Sequence, residues 1–231
     1  AQNWIVTASS GTPATYVVTP NAAHLVAAAE NPAIRRLYES ADLCLNDSRI
    51  VSGLAWIMKR VRIPVAPGSD LTQRLLDDAR TVDIPIFVVG LREDALERLV
   101  HLYPRHSFRH HFPPMGFISD SQSIEACLNF LAEHSGKKIV VLAVGAPQQE
   151  ILAARWSALA ESSGVAICTG AALDFIVGAQ KRAPLFMRRA GLEWLFRLLA
   201  NPKRLWRRYL IESPRLILHM ARERVRPVAV K

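Results

Sequence analysis

Cysteine is scarce in this chain and unpaired in its spacing: Cys44, Cys127 and Cys168 lie far apart, with no CxxC among them. That pattern excludes a disulfide framework or zinc knuckle and fits a reducing compartment, with all three read as plain buried thiols. Aromatic residues are few, at 7%. No apolar run approaches the ~20 residues that a membrane-spanning helix needs, and there is no fixed-period repeat or low-complexity tract. The opening AQNWIVTASS lacks the basic start and long apolar stretch of a secretory signal and is not expected to be one. His106, His110 and His111 have no carboxylate or cysteine at ligand spacing, so no metal site is expected. GxxxxGK[ST] and GxGxxG loops are also missing, which argues against ATP or dinucleotide use through the familiar phosphate loops.

What is present starts with apolar content: 50% of 231 residues, enough for one large domain or a domain with a small appendage. Acidic residues nearly vanish toward the end. Residues 181–231 hold 14 Lys/Arg against 3 Asp/Glu, whereas residues 1–180 hold 15 against 17. The net charge of +9 therefore resides in the last part of the chain. So lopsided a field points to an anionic partner: nucleic acid, anionic lipid or a phosphorylated substrate.

Short apolar runs alternate with helix-length amphipathic stretches. TYVVT (15–19), LCLN (43–46), PIFVVG (85–90), KIVVLAVG (138–145) and VAICTG (165–170) read as strands. Helices follow them, AAHLVAAAE after the first and EDALERLVHLY after the third. Strands this apolar, each followed by a helix, predict an α/β, mostly parallel sheet with helices on both faces. Their carboxyl ends then share one edge, where open α/β sheets bind ligands. Beyond Ala183-Pro184 the chain turns helical and basic, with restarts at Asn201-Pro202 and Ser213-Pro214, where Asn or Ser at the N-cap and Pro in the first turn suit helix starts. An α/β core over 1–183 and a basic helical appendage over 184–231 are expected.

Asp47, after the second strand, reads either as a turn or N-cap aspartate or as a carboxylate at the ligand edge that accepts a proton from an attacking hydroxyl. Thr19-Pro20-Asn21 ends the first strand in the same way, as a strand-to-helix turn or as groups facing the same edge. The small-residue turn at Gly145-Ala146-Pro147, leading into Gln148-Gln149-Glu150, exposes backbone N–H groups suited to phosphate or sugar oxygens. Gln149, at a helix start, is expected to be partly exposed. In the tail, Arg197, Arg204 and Arg207 follow at intervals of seven and three, which would set them on one side of a continuous helix. Trp194, Trp206 and Tyr209 are interleaved with them, a mixture that suits a membrane interface or a nucleic-acid surface.

With these segments in hand, the chain resembles the WecG/TagA/CpsF family of glycosyltransferases. The resemblance runs from about Tyr16 to the end through YVVTPNAAHLV, the strand end at Asp47, APGSDLT, the FVVG strand, VGAPQQE, LDFIVGAQKRAP and GLEWLFRLLANPKRLWRRYL. It implies a Rossmann-like core and metal-independent, cofactor-free, inverting transfer of a hexose-type or N-acetylhexosamine-type unit. The donor would be a nucleotide sugar, commonly UDP-linked, and the acceptor a polyprenyl-diphosphate-linked saccharide of a bacterial surface polysaccharide. The same resemblance makes Asp47 the catalytic base. It makes Thr19, Asn21, Gly145, Gln149 and Asp174 substrate-binding, and Arg197, Arg204 and Arg207 the arginines that close over the donor diphosphate. It implies work at the inner face of the cytoplasmic membrane, peripherally, on an anionic lipid surface, and leaves a homo-oligomer open. The sequence departs from the family in three places. The base is flanked as Asn46-Asp47-Ser48 rather than PDG; the usual Arg before the VxGxDL-like segment has no counterpart beside Pro64-Val65, Arg62 being out of register; and a strand segment ahead of the TPN strand is missing.

One alternative from another class is a non-enzymatic module whose basic tail grips nucleic acid or an anionic surface. Such a module has no use for a carboxylate, an amide and a hydroxyl at strand ends, so no nucleic-acid partner is expected.

Overall fold

Valine, isoleucine and leucine fill the central strand segments, so that each of these has two apolar faces and is buried on both. In the computed structural model, which describes residues 1–222 apart from the side chains of Arg204 and Arg208, the strands are β1 (Thr15–Val18), β2 (Leu43–Cys44), β3 (Ile86–Gly90), β4 (Phe108–His111), β5 (Ile139–Ala143) and β6 (Val165–Cys168). They form one six-stranded sheet in the order β2-β1-β6-β5-β3-β4, and every pairing is parallel. This is the α/β, Rossmann-like architecture expected.

The two faces are legible residue by residue. Val17, Ile86, Val88, Ile139, Val141, Val165 and Ile167 point to one side, where Leu71, Leu75 and Leu99 cover them. Val18, Phe87, Val89, Val140, Leu142 and Ala166 point to the other, against Ile124, Leu131, Leu152 and Trp156. The covering residues come from helices Gly68–Leu76 and Glu93–Leu102 on the first side, and Ser121–Ala132 and Gln148–Ser157 on the second.

Two expectations need correcting here. Strand β4, FRHH, was not anticipated: it is an edge strand, half-buried and basic, and lacks the apolar run that marks the others. Cys44 is exposed, unlike buried Cys127 and Cys168, because β2 is the opposite edge of the sheet and has no neighbour beyond it.

Contacts divide the chain into two compact units. Ala1–Thr19, Arg36–Leu45 and Pro67–Arg182 make the sheet unit; Pro20–Arg35, Asn46–Ala66 and the chain from Ala183 make a helical unit. In the helical unit, helices Ala22–Glu30, Arg49–Lys59 and Arg215–Arg222 share a small core of Ala22, Val26, Val51 and Leu216. Arg215 and His219 both reach Glu30 at 3.3 Å. The tail is helical in pieces: Leu185–Arg189, Glu193–Ala200, Pro202–Trp206 and a π-helical turn over Arg207–Glu212. Non-helical backbone at Asn201 (φ −140°, ψ 65°) separates the second piece from the third. The single continuous helix that would align three arginines is therefore absent, since Pro202 starts a new helix there. Among the described residues no helix is long and apolar enough to cross a membrane.

Candidate functional site

Because all six strands run the same way, their carboxyl ends lie along one edge, and the sheet unit gathers four expected site residues there. Thr19 follows β1 and is buried; its Oγ1 donates to the Cys168 carbonyl at the end of β6, 2.8 Å away. The APGSDLT segment comes close to this point only because residue 68 is glycine: a Cβ there would stand 2.9 Å from Thr19 Oγ1. Asp70 of that segment pairs with Arg182 at 2.6 Å, which joins APGSDLT to the end of LDFIVGAQKRAP.

Gly145 turns the chain after β5 in the left-handed region, φ +80°, and helix Gln148–Ser157 begins three residues on. Gln149 is not exposed as expected but 3% accessible. The physical reason is a backbone need: Gly170 lies beyond the last residue of β6, and its N–H finds an acceptor in Gln149 Oε1 at 3.0 Å. Gln149 Nε2 donates in turn to Glu150 Oε1 at 2.8 Å. Both ends of this amide thus hold structure. Gln149→Ala is expected to cost about 1–3 kcal/mol of unfolding free energy, read by urea denaturation; a change within about 0.5 kcal/mol would mean the amide is dispensable to the fold.

Glu150 is a residue that reading the sequence missed, since a glutamate in a first helical turn normally signals solvent. It is 1% accessible. Burial raises its pKa, opposed by its hydrogen bond to Gln149 and by the Tyr38 hydroxyl. A carboxyl whose folded pKa is raised contributes stability below its unfolded value, and that contribution is lost as pH rises through the folded value. Glu150→Gln should therefore gain stability relative to the parent as pH rises from 5 to 8 in urea titrations. An identical difference at both pH values would show that Glu150 does not titrate abnormally.

Asp174 sits on the short helix Ala172–Ile176 after β6 and accepts from Gln180 Nε2 at 3.0 Å. Burial raises its pKa, while Gln180 and Arg92 pull it down and Asp94 pushes it up. Arg92 follows a strained corner at the end of β3, where Gly90 and Leu91 both have positive φ, +92° and +68°. His110 fixes that corner: its Nε2 lies 2.9 Å from the Gly90 carbonyl and 2.8 Å from the Leu91 carbonyl. Carbonyls only accept, so Nε2 carries the proton.

The helical unit holds the other candidates. Asn21 caps helix Ala22–Glu30, its Oδ1 accepting from Ala23 N at 3.1 Å and His24 N at 3.4 Å. Asp47 lies just ahead of helix Arg49–Lys59 in a tightly bonded turn. Its N–H donates to the Pro20 carbonyl at 3.1 Å. Asn46 Oδ1 accepts from Ser48 N at 3.0 Å, and Ser48 Oγ caps the helix by accepting from Val51 N at 3.3 Å. Asn46 and Ser48 thus fix the turn around Asp47 through their own side-chain acceptors.

Arg197, on helix Glu193–Ala200, pairs with Glu193 at 2.7 Å. Burial works against its charge, but Glu193, Tyr209 and Asp47 outweigh it and raise the guanidinium pKa. Asp47 and Arg197, remote in sequence, therefore lie within one electrostatic neighbourhood. The Arg207 side chain is exposed and 3.4 Å from Glu212. The side chain of Arg204 lies outside the described residues. Among the described residues, no group of three or more His, Cys, Asp or Glu could hold a metal ion.

The family model for the glycosyl transferase WecG/TagA/CpsF family matches residues 1–229. The chain belongs to this family. As a WecG/TagA/CpsF glycosyltransferase it moves a sugar from a donor to an acceptor. The WecG/TagA/CpsF match runs through the basic residues after 183, so that segment belongs to the family's own sequence.

Proposed function

We propose that the enzyme transfers a hexose-type or N-acetylhexosamine-type unit from a UDP sugar to a polyprenyl-diphosphate-linked saccharide, with inversion, during assembly of a bacterial surface polysaccharide. Asp47 accepts the proton of the acceptor hydroxyl as its oxygen attacks the anomeric carbon. The bond from that carbon to the diphosphate oxygen breaks, and UDP leaves with the electron pair and added negative charge. Arg197, with Arg204 and Arg207, meets that charge, since guanidinium forks fit phosphate oxygens. Thr19, Asn21, Gly145 and Asp174 bind the donor, and Gln149, its amide committed to Gly170 and Glu150, supports the site from behind by holding the strand ends. In this scheme no metal or other cofactor is required. The surplus of bases after residue 183 holds the enzyme to the anionic inner face of the cytoplasmic membrane.

What supports this reading is that Asp47 is among the groups acting electrostatically on Arg197, after Glu193 and Tyr209, so a candidate proton acceptor and a candidate phosphate-binding cation belong to one part of the helical unit. A panel of UDP sugars, assayed for UDP release with a lipid-linked acceptor, tests it. One donor should give release that depends on the acceptor. No release with any of them, or release indifferent to acceptor, contradicts the proposed reaction.

A further inference from the structure

Helix Arg49–Lys59 is apolar on both sides, yet only one side is covered. Val51 and Ala55 are buried, with Leu54 packed against the small helical core. On the opposite side Ile50, Trp56 and Ile57 are exposed, at 38%, 48% and 63%. Gly53 lies between them with nothing within 4 Å of where a Cβ would be, so the strip is open along its length. A helix with apolar residues all round is ordinarily enclosed, and three large side chains in one strip exceed the scattered exposure of an ordinary surface.

The charge around the strip is of one sign. From Ser48 to Ser69 there are four bases, Arg49, Lys59, Arg60 and Arg62, and no acidic residue. The Arg60 guanidinium stands 5.5 Å over the Trp56 ring. The helical unit as a whole holds 17 Lys/Arg against 5 Asp/Glu, and the sheet unit 12 against 15. Tryptophan beside arginine and lysine, with isoleucines on the same exposed strip, is the mixture that suits a bilayer interface, where acyl chains take the aliphatic groups and anionic headgroups the cations.

We infer that the exposed strip Ile50–Trp56–Ile57 of helix Arg49–Lys59 inserts into an anionic bilayer surface, as a membrane contact separate from the segment after 183. The inference rests on the membrane reading given above and adds a consequence. Asp47 is two residues ahead of this helix, so insertion sets the proposed base at a fixed depth near the headgroups of a lipid-linked acceptor.

The test uses the full chain and vesicles of phosphatidylcholine, with and without phosphatidylglycerol. Trp56→Ser with Ile57→Ser should raise the anionic lipid needed for half-maximal sedimentation at least about tenfold, with unchanged melting temperature and unchanged turnover on a short, soluble acceptor. Of the five tryptophans, Trp56 should dominate quenching by lipids brominated on their chains, so Trp56→Phe should remove most of it. Parent-like vesicle binding by the double variant overturns the inference and leaves the tail reading standing. If the double variant instead converts a dimer to a monomer by light scattering with vesicle binding intact, the strip is a self-interface. A parent chain that fails to bind anionic vesicles removes the membrane reading along with it.

Discussion

Asp47→Asn should lower turnover by about 10²–10⁴-fold while leaving donor affinity and melting temperature close to those of the parent. The amide matches the carboxylate in size, and the turn around it is held by Asn46, Ser48 and the Asp47 backbone N–H rather than by the Asp47 carboxylate alone. What the substitution removes is the ability to take up a proton as the acceptor oxygen becomes positive. Arg197 keeps Glu193 as a counter-ion at 2.7 Å, so its orientation should survive. Turnover measured with a saturating lipid-linked acceptor, beside a calorimetric titration of the donor, separates the two effects. Near-parental turnover would remove Asp47 from the chemistry; a large fall in donor affinity would make it a binding residue.

Arg197→Ala is expected to cost about 10²–10³-fold in kcat. The leaving diphosphate gains charge in the transition state, and a half-buried guanidinium meets it with less solvent screening than the exposed Arg207 can offer. The interaction strengthens as the glycosidic bond breaks, so kcat and kcat/KM should fall together, whereas a ground-state contact would raise KM alone. Stability should change little, because the Glu193–Arg197 pair is partly solvated and such pairs contribute at most about 1 kcal/mol. An unchanged kcat with a raised KM would assign Arg197 to donor capture rather than to departure of the leaving group.

The sheet was readable from the sequence to the extent that its strands are central. β1, β3, β5 and β6 are continuous apolar runs because both faces are covered, and burial leaves that mark on composition. β4 left none, since Phe108–His111 needs only one apolar side at the sheet edge. Pattern also failed at Gln149 and Glu150, where polar residues in a first helical turn imply solvent. The unmet N–H of Gly170, which draws the amide inward, is a tertiary fact that local spacing cannot register. Similarly, seven-and-three spacing suggested one face for three tail arginines, but the break at Asn201-Pro202 resets the helical phase. The charge relation between Asp47 and Arg197 depends on packing among segments far apart in the chain. Strand-end position and motif resemblance pointed to Asp47, and tail spacing and resemblance to Arg197, but none of these brought the two together.

The configuration of the new glycosidic bond tests the proposed chemistry most directly. One carboxylate acting as base on the acceptor implies a single displacement, so a product formed from an α-linked UDP sugar should be β-linked, as read from the anomeric coupling constant by NMR. An α-linked product would require a mechanism other than attack by an acceptor hydroxyl deprotonated by Asp47, and would contradict the role given to that residue.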